Sequence, residues 1–292
     1  MSRERKHWSN AELISLFVNM SVASARIRRL TLHEKHGTHN LRPQINLLLA
    51  SAIGSCKSTI LSQITRENKL PEPFPDISFP GLVGSIDHNR GDVVPAAAWE
   101  FRNKILCIDE FNYKKDRTVT KALLQIMEGQ TYTRKLARHS VPMEMKDKDL
   151  FFRVKDGTIE LKTRLATIIG TMYVQNFIKH PQGEDMHALL SRTIPVYFTL
   201  QQDELYQIAD GKILYRYKKF NPPQEIDIKR KDYNKIVDYV KSQGMSHELF
   251  LRTIGDCCRA RAVLGRHDEE IYRLIAVCKK RRHELINPVF ND

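Results

Sequence analysis

An apolar run that ends in two adjacent carboxylates constrains the fold of this chain more than any other feature. Residues Ile105-Leu106-Cys107-Ile108 carry no charge and are followed at once by Asp109 and Glu110. Four consecutive apolar residues are typical of a strand buried on both faces, as in parallel sheets covered by helices. Such a strand delivers the residues after it to the carboxyl edge of the sheet, where ligands bind. The run therefore predicts an α/β fold with two carboxylates at a binding edge.

A second apolar run leads into a segment of small residues and a lysine. Residues 45–50 are of the buried-strand type, and apolar residues at helical spacing follow from Ile60 onward. The stretch between them is expected to be a tight loop. A phosphate-binding loop needs small residues so that backbone N–H groups can turn toward the anion, and the helix N-terminus after it favours negative charge. The candidate nucleotide-binding residues are Gly54, Ser55, Cys56, Lys57, Ser58 and Thr59.

The two segments together supply the parts of a nucleotide-hydrolysing site. Lys57 is expected to bridge the β- and γ-phosphates, and Ser58 is expected to hold Mg²⁺ together with Asp109. Glu110 is expected to polarise the attacking water. The predicted cofactors are therefore ATP and Mg²⁺.

The phosphate loop departs from the standard pattern G-x-x-x-x-G-K-[ST]. Ser51 and Cys56 replace its two glycines. Taken alone, the loop is equally compatible with an ordinary strand-to-helix turn, and the acidic pair with a helix cap at a strand end. Their position on two strands of one predicted sheet favours the nucleotide site.

Strands and helices alternate along the middle of the chain, which predicts an α/β domain with a mostly parallel sheet. A helix is expected near residues 119–127, and further buried strands near residues 164–170 and 194–200. The predicted nucleotide-binding domain spans residues 41–210.

The two ends of the chain differ from this core. Residues 1–40 are expected to hold an amphipathic helix within residues 8–30 and then a polar loop. Residues 211–292 are expected to form a basic helical lid domain, with a boundary near Asn221-Pro222-Pro223. The cluster Lys279-Lys280-Arg281-Arg282 is interpreted as a solvated helix face or as a phosphate-contacting or targeting cluster.

Residues 130–164 have a β rather than a helical pattern. Two alternating segments flank Asp156-Gly157, a strong signal for a two-residue hairpin turn. The region carries the basic residues Arg134, Lys135, Arg138, Lys155 and Lys162. A solvated edge hairpin is one interpretation of this pattern.

Composition limits the remaining classes. The 292 residues carry a formal net charge of +13, which favours a polyanionic partner, nucleic acid first. No apolar run approaches the ~18 residues of a spanning helix, and the first residues do not read as a signal peptide. The five cysteines form no CxxC pair, which is typical of reduced, buried thiols. A cytoplasmic protein is expected, or a nuclear one in a eukaryotic host.

Several motifs, in order along residues 42–200, resemble those of one family. Residues 107–112, Cys-Ile-Asp-Glu-Phe-Asn, resemble the Walker B segment of minichromosome maintenance (MCM) helicases, a branch of the AAA+ ATPases. Residues 53–58 fit that family's Walker A, in which a small non-glycine residue precedes the lysine. Residues 125–130 resemble the helix end that leads into the pre-sensor-1 β-hairpin. Residues 166–171 resemble the sensor-1 strand, and residues 189–192, Leu-Leu-Ser-Arg, resemble the arginine-finger segment.

The resemblance implies an AAA+ P-loop NTPase core with a small C-terminal helical lid. It also implies that the pre-sensor-1 hairpin grips the DNA backbone, where basic residues neutralise phosphates without reading base sequence. The candidate DNA-binding residues are then Arg134, Lys135, Arg138, Lys155 and Lys162. It implies that Thr171 senses the γ-phosphate, that Arg192 is an arginine finger for ATP on the neighbouring subunit, and that Arg252 is sensor 2. A finger supplied in trans implies a ring or a comparable assembly, and a hexamer is the form that the MCM resemblance suggests. A surface arginine is the alternative for Arg192. Thr171 and Thr193 stand where the family has asparagine and phenylalanine.

The expected function is that of an ATP-hydrolysing, MCM-like motor on single-stranded or duplex DNA, as a helicase, translocase or replication-related remodeller. An AAA+ remodeller of protein substrates, of the MoxR or activator type, is the nearest alternative. A non-hydrolysing ATP switch that binds DNA as an initiator or loader is the third, because the glycines of the phosphate loop are altered. Retention of both Asp109 and Glu110 speaks against that switch.

Overall fold

The computed structural model describes most of the chain. The described residues are 9–51, 54–70, 72–75, 77–87, 92–94, 97–101, 104–111, 117–130, 132–135, 152–155, 158–161, 165–172, 184–198, 200, 202–210 and 220–281. Their helices are α1 Asn10–Ser24, α2 Lys57–Glu67, α3 Phe79–Val83, α4 Ala97–Glu100, α5 Arg117–Glu128, α6 Glu184–Arg192, α7 Gln202–Ala209, α8 Arg230–Ser242, α9 His247–Leu264 and α10 Glu269–Lys280. Their strands are β1 Arg29–Glu34, β2 Gly37–Leu41, β3 Leu47–Ser51, β4 Ser85–Asp87, β5 Asp92–Val94, β6 Ile105–Ile108, β7 Tyr132–Lys135, β8 Phe152–Lys155, β9 Thr158–Leu161, β10 Ala166–Met172, β11 Ile194–Tyr197 and β12 Glu225–Ile228.

The central sheet has the order β11-β3-β10-β6, and each of its strand pairs is parallel. The predicted α/β fold with a parallel sheet is confirmed, as are the expected buried strands and the helix near residues 119–127. The strand before the phosphate loop, β3, is not adjacent to the acidic strand β6, because β10 lies between them.

The sheet is buried on both faces by two apolar clusters. Leu47 and Leu49 point to the cluster formed with α1, α2 and the C-terminal helices, and Leu48 and Ala50 point to the cluster formed with α3, α5 and α6. Successive residues of a strand face opposite sides of the sheet, so a continuous apolar run serves both clusters. This double burial explains why the strands of the sheet show no polar alternation.

The N-terminal region differs from its sequence expectation in two ways. Helix α1 starts with a capping box, in which Ser9 Oγ accepts from the Glu12 amide at 3.2 Å. Instead of being amphipathic, α1 is buried on most sides. The predicted polar loop is the antiparallel pair β1–β2, and β1 also pairs in parallel with β12. Leu30 and Leu32 anchor β1 in the core, an alternation too short to stand out in the sequence.

The C-terminal helices share the core of the sheet. Ile236 of α8, Cys257 of α9 and Tyr272 of α10 belong to the same apolar cluster as Leu47. Strand β12 follows the prolines near residue 222 and pairs with β1 at the start of the chain. Residues on the two sides of the expected boundary are therefore packed together.

Beyond the central sheet, β7, β9 and β8 form an antiparallel sheet in that order. The two segments that flank Asp156-Gly157 pair antiparallel as β8 and β9, as predicted, and the turn residues themselves lie outside the described residues. Among the described residues, no helix combines the length and the apolar character that crossing a bilayer requires.

Candidate nucleotide-binding site

Two described residues of the loop between β3 and α2 have positive φ angles. Gly54 has φ +79° and Cys56 has φ +56°, so both adopt the left-handed conformation. Glycine adopts it freely, but a non-glycine residue pays roughly 1–2 kcal/mol for it. Cys56 is the N-cap of α2 and makes no capping hydrogen bond with its side chain. The N–H groups of the first helical turn therefore receive no cap from Cys56, which suits an anion at this helix N-terminus.

The Lys57 amine lies at the centre of this site. The residue is buried, with 7% exposure, and its Nζ donates to the carbonyl oxygen of Ser51 at 3.2 Å. Burial lowers the pKa of the Lys57 amine, and the negative charges of Asp109 and Glu110 act against that shift. The acidic pair is therefore close enough to Lys57 for its negative charge to act on the amine.

The acidic pair occupies a sharp turn at the end of β6. Asp109 is largely buried, and its Oδ1 accepts from the Glu110 amide at 2.9 Å. Glu110 has φ +50° and is exposed, so the chain reverses at this residue. The next amide, that of Phe111, donates to the Gly170 carbonyl oxygen at 2.9 Å. The turn fixes Asp109 against the sheet and leaves Glu110 at its carboxyl edge.

Strand β10 brings the two segments together. A Cβ atom on Gly170 would lie 2.8 Å from Leu61 Cδ1 and 3.1 Å from Asp109 Oδ1. A glycine here therefore allows helix α2 and the acidic turn to approach the same point of the sheet. The next residue, Thr171, is paired with Ala50 of β3. Its backbone therefore lies at the edge where Lys57 and Asp109 meet.

The oxygen atoms at this edge suit a hard divalent cation. Ser58 and Thr59 are exposed in the first turn of α2, and Asp109 supplies a carboxylate. Mg²⁺ usually takes one or two protein oxygens together with water and substrate phosphates rather than a closed protein cage. In the described part of the chain there is no group of three or more His, Cys, Asp or Glu side chains arranged to hold a metal ion.

The two arginines predicted to act on the nucleotide, Arg192 and Arg252, lie close to each other and away from Lys57. Arg192 ends α6, Arg252 is on α9, and both contact the same oxygen of Glu128, at 2.8 Å and 2.7 Å respectively. Burial by itself raises the pKa of the Glu128 carboxyl, but the hydrogen bonds and charges of Arg252 and Arg192 outweigh it and hold that pKa below its ordinary value. The structure distinguishes Arg252 from Arg261, which instead pairs with Asp232 at 3.0 Å.

This arginine cluster, Arg192 and Arg252 around Glu128, lies at the amino edge of the sheet. Arg192 precedes β11, whose first residue pairs with Leu47, the first residue of β3. The phosphate loop leaves β3 at its other end, after Ser51. A strand of this length spans about 15 Å at roughly 3.3 Å per residue. Within one chain the structure therefore brings Arg252 next to Arg192 and not next to Lys57.

Sequence reasoning missed Arg42, which lies beside this cluster. Its guanidinium donates to the carbonyl oxygens of Ile126 and Leu165 and to Gln44 Oε1. Burial lowers the pKa of Arg42 to about 9, Arg259 adds to that effect, and Glu128 opposes it. The guanidinium therefore stays charged near neutral pH. No local sequence pattern marks Arg42, because its carbonyl acceptors come from distant parts of the chain.

An open pocket of about 600 Å³ adjoins Glu128 at this edge. Its lining includes Arg28, Arg29, Arg42 and Asn40 together with Glu128. Arg29 pairs with Glu225 at 2.5 Å across the β1–β12 contact. The amino edge therefore combines a basic pocket with the arginine cluster, a setting that suits an anionic group.

The candidate DNA-binding residues are only partly described. Arg134 and Lys135 lie on β7, and Lys155 lies on β8. Arg138 and Lys162 fall outside the described residues. At the start of β7, Tyr132 packs edge-on against Phe79 of α3, with ring centroids 6.0 Å apart. That aromatic side chain contacts the body of the protein, as expected for a ring buried against the fold.

Comparison of this chain with protein-family models and with curated protein sequences found no match. Any functional assignment therefore rests on the geometry and the residue chemistry of these two edges.

Proposed function

We propose that this chain is an ATP-hydrolysing module of the AAA+ class, of the MCM-like kind, that acts on DNA as part of a ring-type oligomer. One observation carries the proposal. Lys57 at the start of α2 and the Asp109–Glu110 turn meet across Gly170 at the carboxyl edge of a parallel sheet. This combination supplies a phosphate-binding amine, a metal-binding carboxylate and a water-positioning carboxylate in one place.

Each residue at this edge has a defined part in the proposed hydrolysis. Water attacks the γ-phosphorus, and the bond to the β–γ bridging oxygen breaks to give ADP and phosphate. Glu110, exposed at the turn, orients that water and accepts its proton. Lys57 stabilises negative charge on the phosphate oxygens. Mg²⁺, held by Ser58 and Asp109, would neutralise phosphate charge when bound.

The amino edge supports action on a second copy of the chain. Arg192 and Arg252 share one carboxylate, and Arg42 lies beside them, so these side chains together have an excess of positive charge. Arg192 Nε is buried and makes no hydrogen bond within the described residues. A phosphoryl group from a neighbouring copy would satisfy both the charge and the donors. In the ring, Arg192 then stabilises the transition state on that neighbour's ATP.

DNA is the proposed partner because of charge and because of the β-structure that follows α5. The chain has a formal net charge of +13, and strands β7 and β8 bear Arg134, Lys135 and Lys155. Basic residues on a hairpin bind phosphates without sequence preference. ATP turnover would then drive translocation on, or remodelling of, DNA.

The test is steady-state ATP turnover with and without single-stranded and duplex DNA. We expect DNA to stimulate wild-type turnover. Glu110→Gln should lower turnover by at least ~10²-fold while nucleotide binding persists, because a general base contributes roughly that much. Glu67→Gln, which changes an exposed carboxylate at the far end of α2, is the matched control and should retain turnover.

The alternatives predict different results in the same assay. Nucleotide binding by the wild type without turnover would contradict hydrolysis and indicate a non-hydrolysing DNA-binding switch. Turnover that ignores both forms of DNA would contradict the DNA motor and leave a protein-remodelling ATPase.

A further inference from the structure

Lys279 belongs to the basic cluster that the sequence left as a solvated or phosphate-contacting face, yet this side chain is fully buried. Its exposure is 0%, whereas the next residue, Lys280, is exposed. Burial lowers the pKa of the Lys279 amine, and the charge of Asp256 acts against that shift. A buried ammonium is costly unless it is paired, so its contacts define what it does.

The Lys279 amine binds the backbone on both sides of Arg192. Its Nζ donates to the Ser191 carbonyl oxygen at 3.0 Å and to the Thr193 carbonyl oxygen at 2.5 Å. Asp256 Oδ2 lies 2.7 Å away and forms an ion pair with it. The last carbonyls of a helix have no partner within the helix, and a cation there also interacts favourably with the helix dipole.

The carbonyl between those of Ser191 and Thr193, that of Arg192 itself, also accepts a hydrogen bond. Asn46 Nδ2 donates to the Arg192 carbonyl oxygen at 3.4 Å. Asn46 Oδ1 in turn accepts from the amide and the hydroxyl of Thr167 on β10, at 3.1 Å and 3.0 Å. Three successive carbonyls, those of Ser191, Arg192 and Thr193, are therefore fixed by buried side chains from distant parts of the chain.

Helix α9 connects this anchor to the arginine cluster. Arg252, Asp256 and Arg259 recur at helical spacing and share one face of α9. Arg252 contacts Glu128, Asp256 pairs with Lys279, and Arg259 contacts both Asp256 Oδ1 at 2.6 Å and the Arg42 carbonyl oxygen at 2.8 Å. The same face thus holds the backbone beneath Arg192 and the carboxylate that its guanidinium contacts.

We infer that Lys279 is a positioning residue for Arg192. By holding the backbone on both sides of Arg192, Lys279 and its partner Asp256 fix where the Arg192 guanidinium lies relative to the nucleotide of a neighbouring copy. The inference rests on the proposed action of Arg192 in trans. The contacts of Lys279 satisfy the carbonyls at this helix end and also fix the backbone on both sides of Arg192. That position matters, because a displacement of about 1 Å at a catalytic group costs on the order of 10²-fold in rate.

The test uses mixtures of two inactive chains. A Glu110→Gln chain does not hydrolyse its own ATP but donates an intact Arg192, and an Arg192→Ala chain hydrolyses only when a neighbour supplies that arginine. Mixing them should restore DNA-stimulated turnover. Lys279→Met is then added to one chain at a time. This substitution leaves Asp256 paired with Arg259, so no unpaired charge is created.

We expect Lys279→Met in the donating chain to lower kcat of the mixture at least ~10-fold with KM unchanged, as for an interaction made only in the transition state. The same substitution in the Arg192→Ala chain should leave restored turnover unchanged. The double variant Lys279→Met, Asp256→Asn repeats the test if the single variant folds poorly, as judged by circular dichroism and urea midpoint.

The outcomes separate the two hypotheses. If the parent mixture shows no restored turnover, the proposed action of Arg192 in trans is wrong. If turnover is restored but Lys279→Met lowers it equally in both chains, the residue is only structural and the inference fails. Undiminished turnover with Lys279→Met in the donating chain would overturn it as well.

Discussion

The two edges of the central sheet have opposite charge. At the carboxyl edge, among the described residues, Lys57 faces the two carboxylates Asp109 and Glu110. At the amino edge, Glu128 serves both Arg192 and Arg252. The carboxyl edge therefore suits a cation that accompanies an anionic ligand. The amino edge suits an anion.

The edges also differ in how they are built. The carboxyl edge relies on backbone, because left-handed residues and a helix N-terminus shape it. The amino edge is built by side chains from helices that are distant in sequence, such as Lys279, which donates to the carbonyl oxygens of Ser191 and Thr193. Complementary charge on opposite edges suits the proposed head-to-tail ring, in which each edge would meet the other edge of the next copy.

Removing the guanidinium at the amino edge should have the largest effect. We expect Arg192→Ala to lower turnover by ~10³-fold while nucleotide affinity persists, because a finger supplied in trans contributes about that much. The measurement is kcat alongside equilibrium nucleotide binding. Arg261→Ala, which breaks a pair with Asp232 elsewhere, is the control and should retain turnover. Equal losses in the two variants would contradict a specific role for the amino edge.

The second prediction concerns basic residues outside both edges, in the predicted hairpin, and their effect on DNA binding. Lys155→Glu together with Lys162→Glu should weaken DNA binding about tenfold or more and flatten its salt dependence by roughly one unit of slope per lost phosphate contact. DNA-free turnover should not change, because β8 carries no residue of either edge. The measurement is a salt titration of DNA affinity. Unchanged affinity would remove the hairpin from the proposed DNA contact.

Glu128 offers a smaller, pH-dependent test of the amino edge. Its pKa is lowered in the folded chain, so its contribution to stability is present above the ordinary pKa of glutamate and is lost as pH falls through the lowered pKa. Glu128→Gln should cost about 1 kcal/mol near pH 7. That difference should shrink below about pH 4.

The measurement for Glu128 is the urea midpoint of wild type and variant across this pH range. Arg252→Gln is the matched control, because Glu128→Gln should cost less in that background if the two side chains interact. A cost that is the same in both backgrounds and at every pH would show that the arginines do not act through Glu128.

The smallest expected effect is on stability at the carboxyl edge. Burial lowers the pKa of Lys57, so the folded chain disfavours its charged form. Lys57→Met should therefore leave the free energy of unfolding unchanged or raise it by under ~1 kcal/mol, as for replacement of a buried charge by an apolar group. The same variant should lose nucleotide binding. Clear destabilisation without nucleotide would identify Lys57 as a structural residue.

Local patterns predicted the two strands, β3 and β6, that lead to the carboxyl edge. Residues 105–110 contain both the strand and its carboxylates, and residues 45–59 contain both the strand and its loop. Arg42 and Lys279 were out of reach of such patterns. Their acceptors, the Ile126 and Thr193 carbonyl oxygens, lie 84 and 86 residues away in the chain. The β1–β2 pair was missed because the alternation of Leu30 and Leu32 is too short to stand out, and the pairing of β1 with β12 joins segments almost two hundred residues apart.

The sequence by itself determined the buried strands, the hairpin turn and which side chains end each strand, because these depend on neighbours within a few residues. Only the tertiary structure decided which charges meet. It placed β10 between β3 and β6, joined Arg192 to Arg252 through Glu128, and buried Lys279 beneath Arg192. The physical reason is that electrostatic and hydrogen-bond partners are set by distance in space, which chain order does not specify.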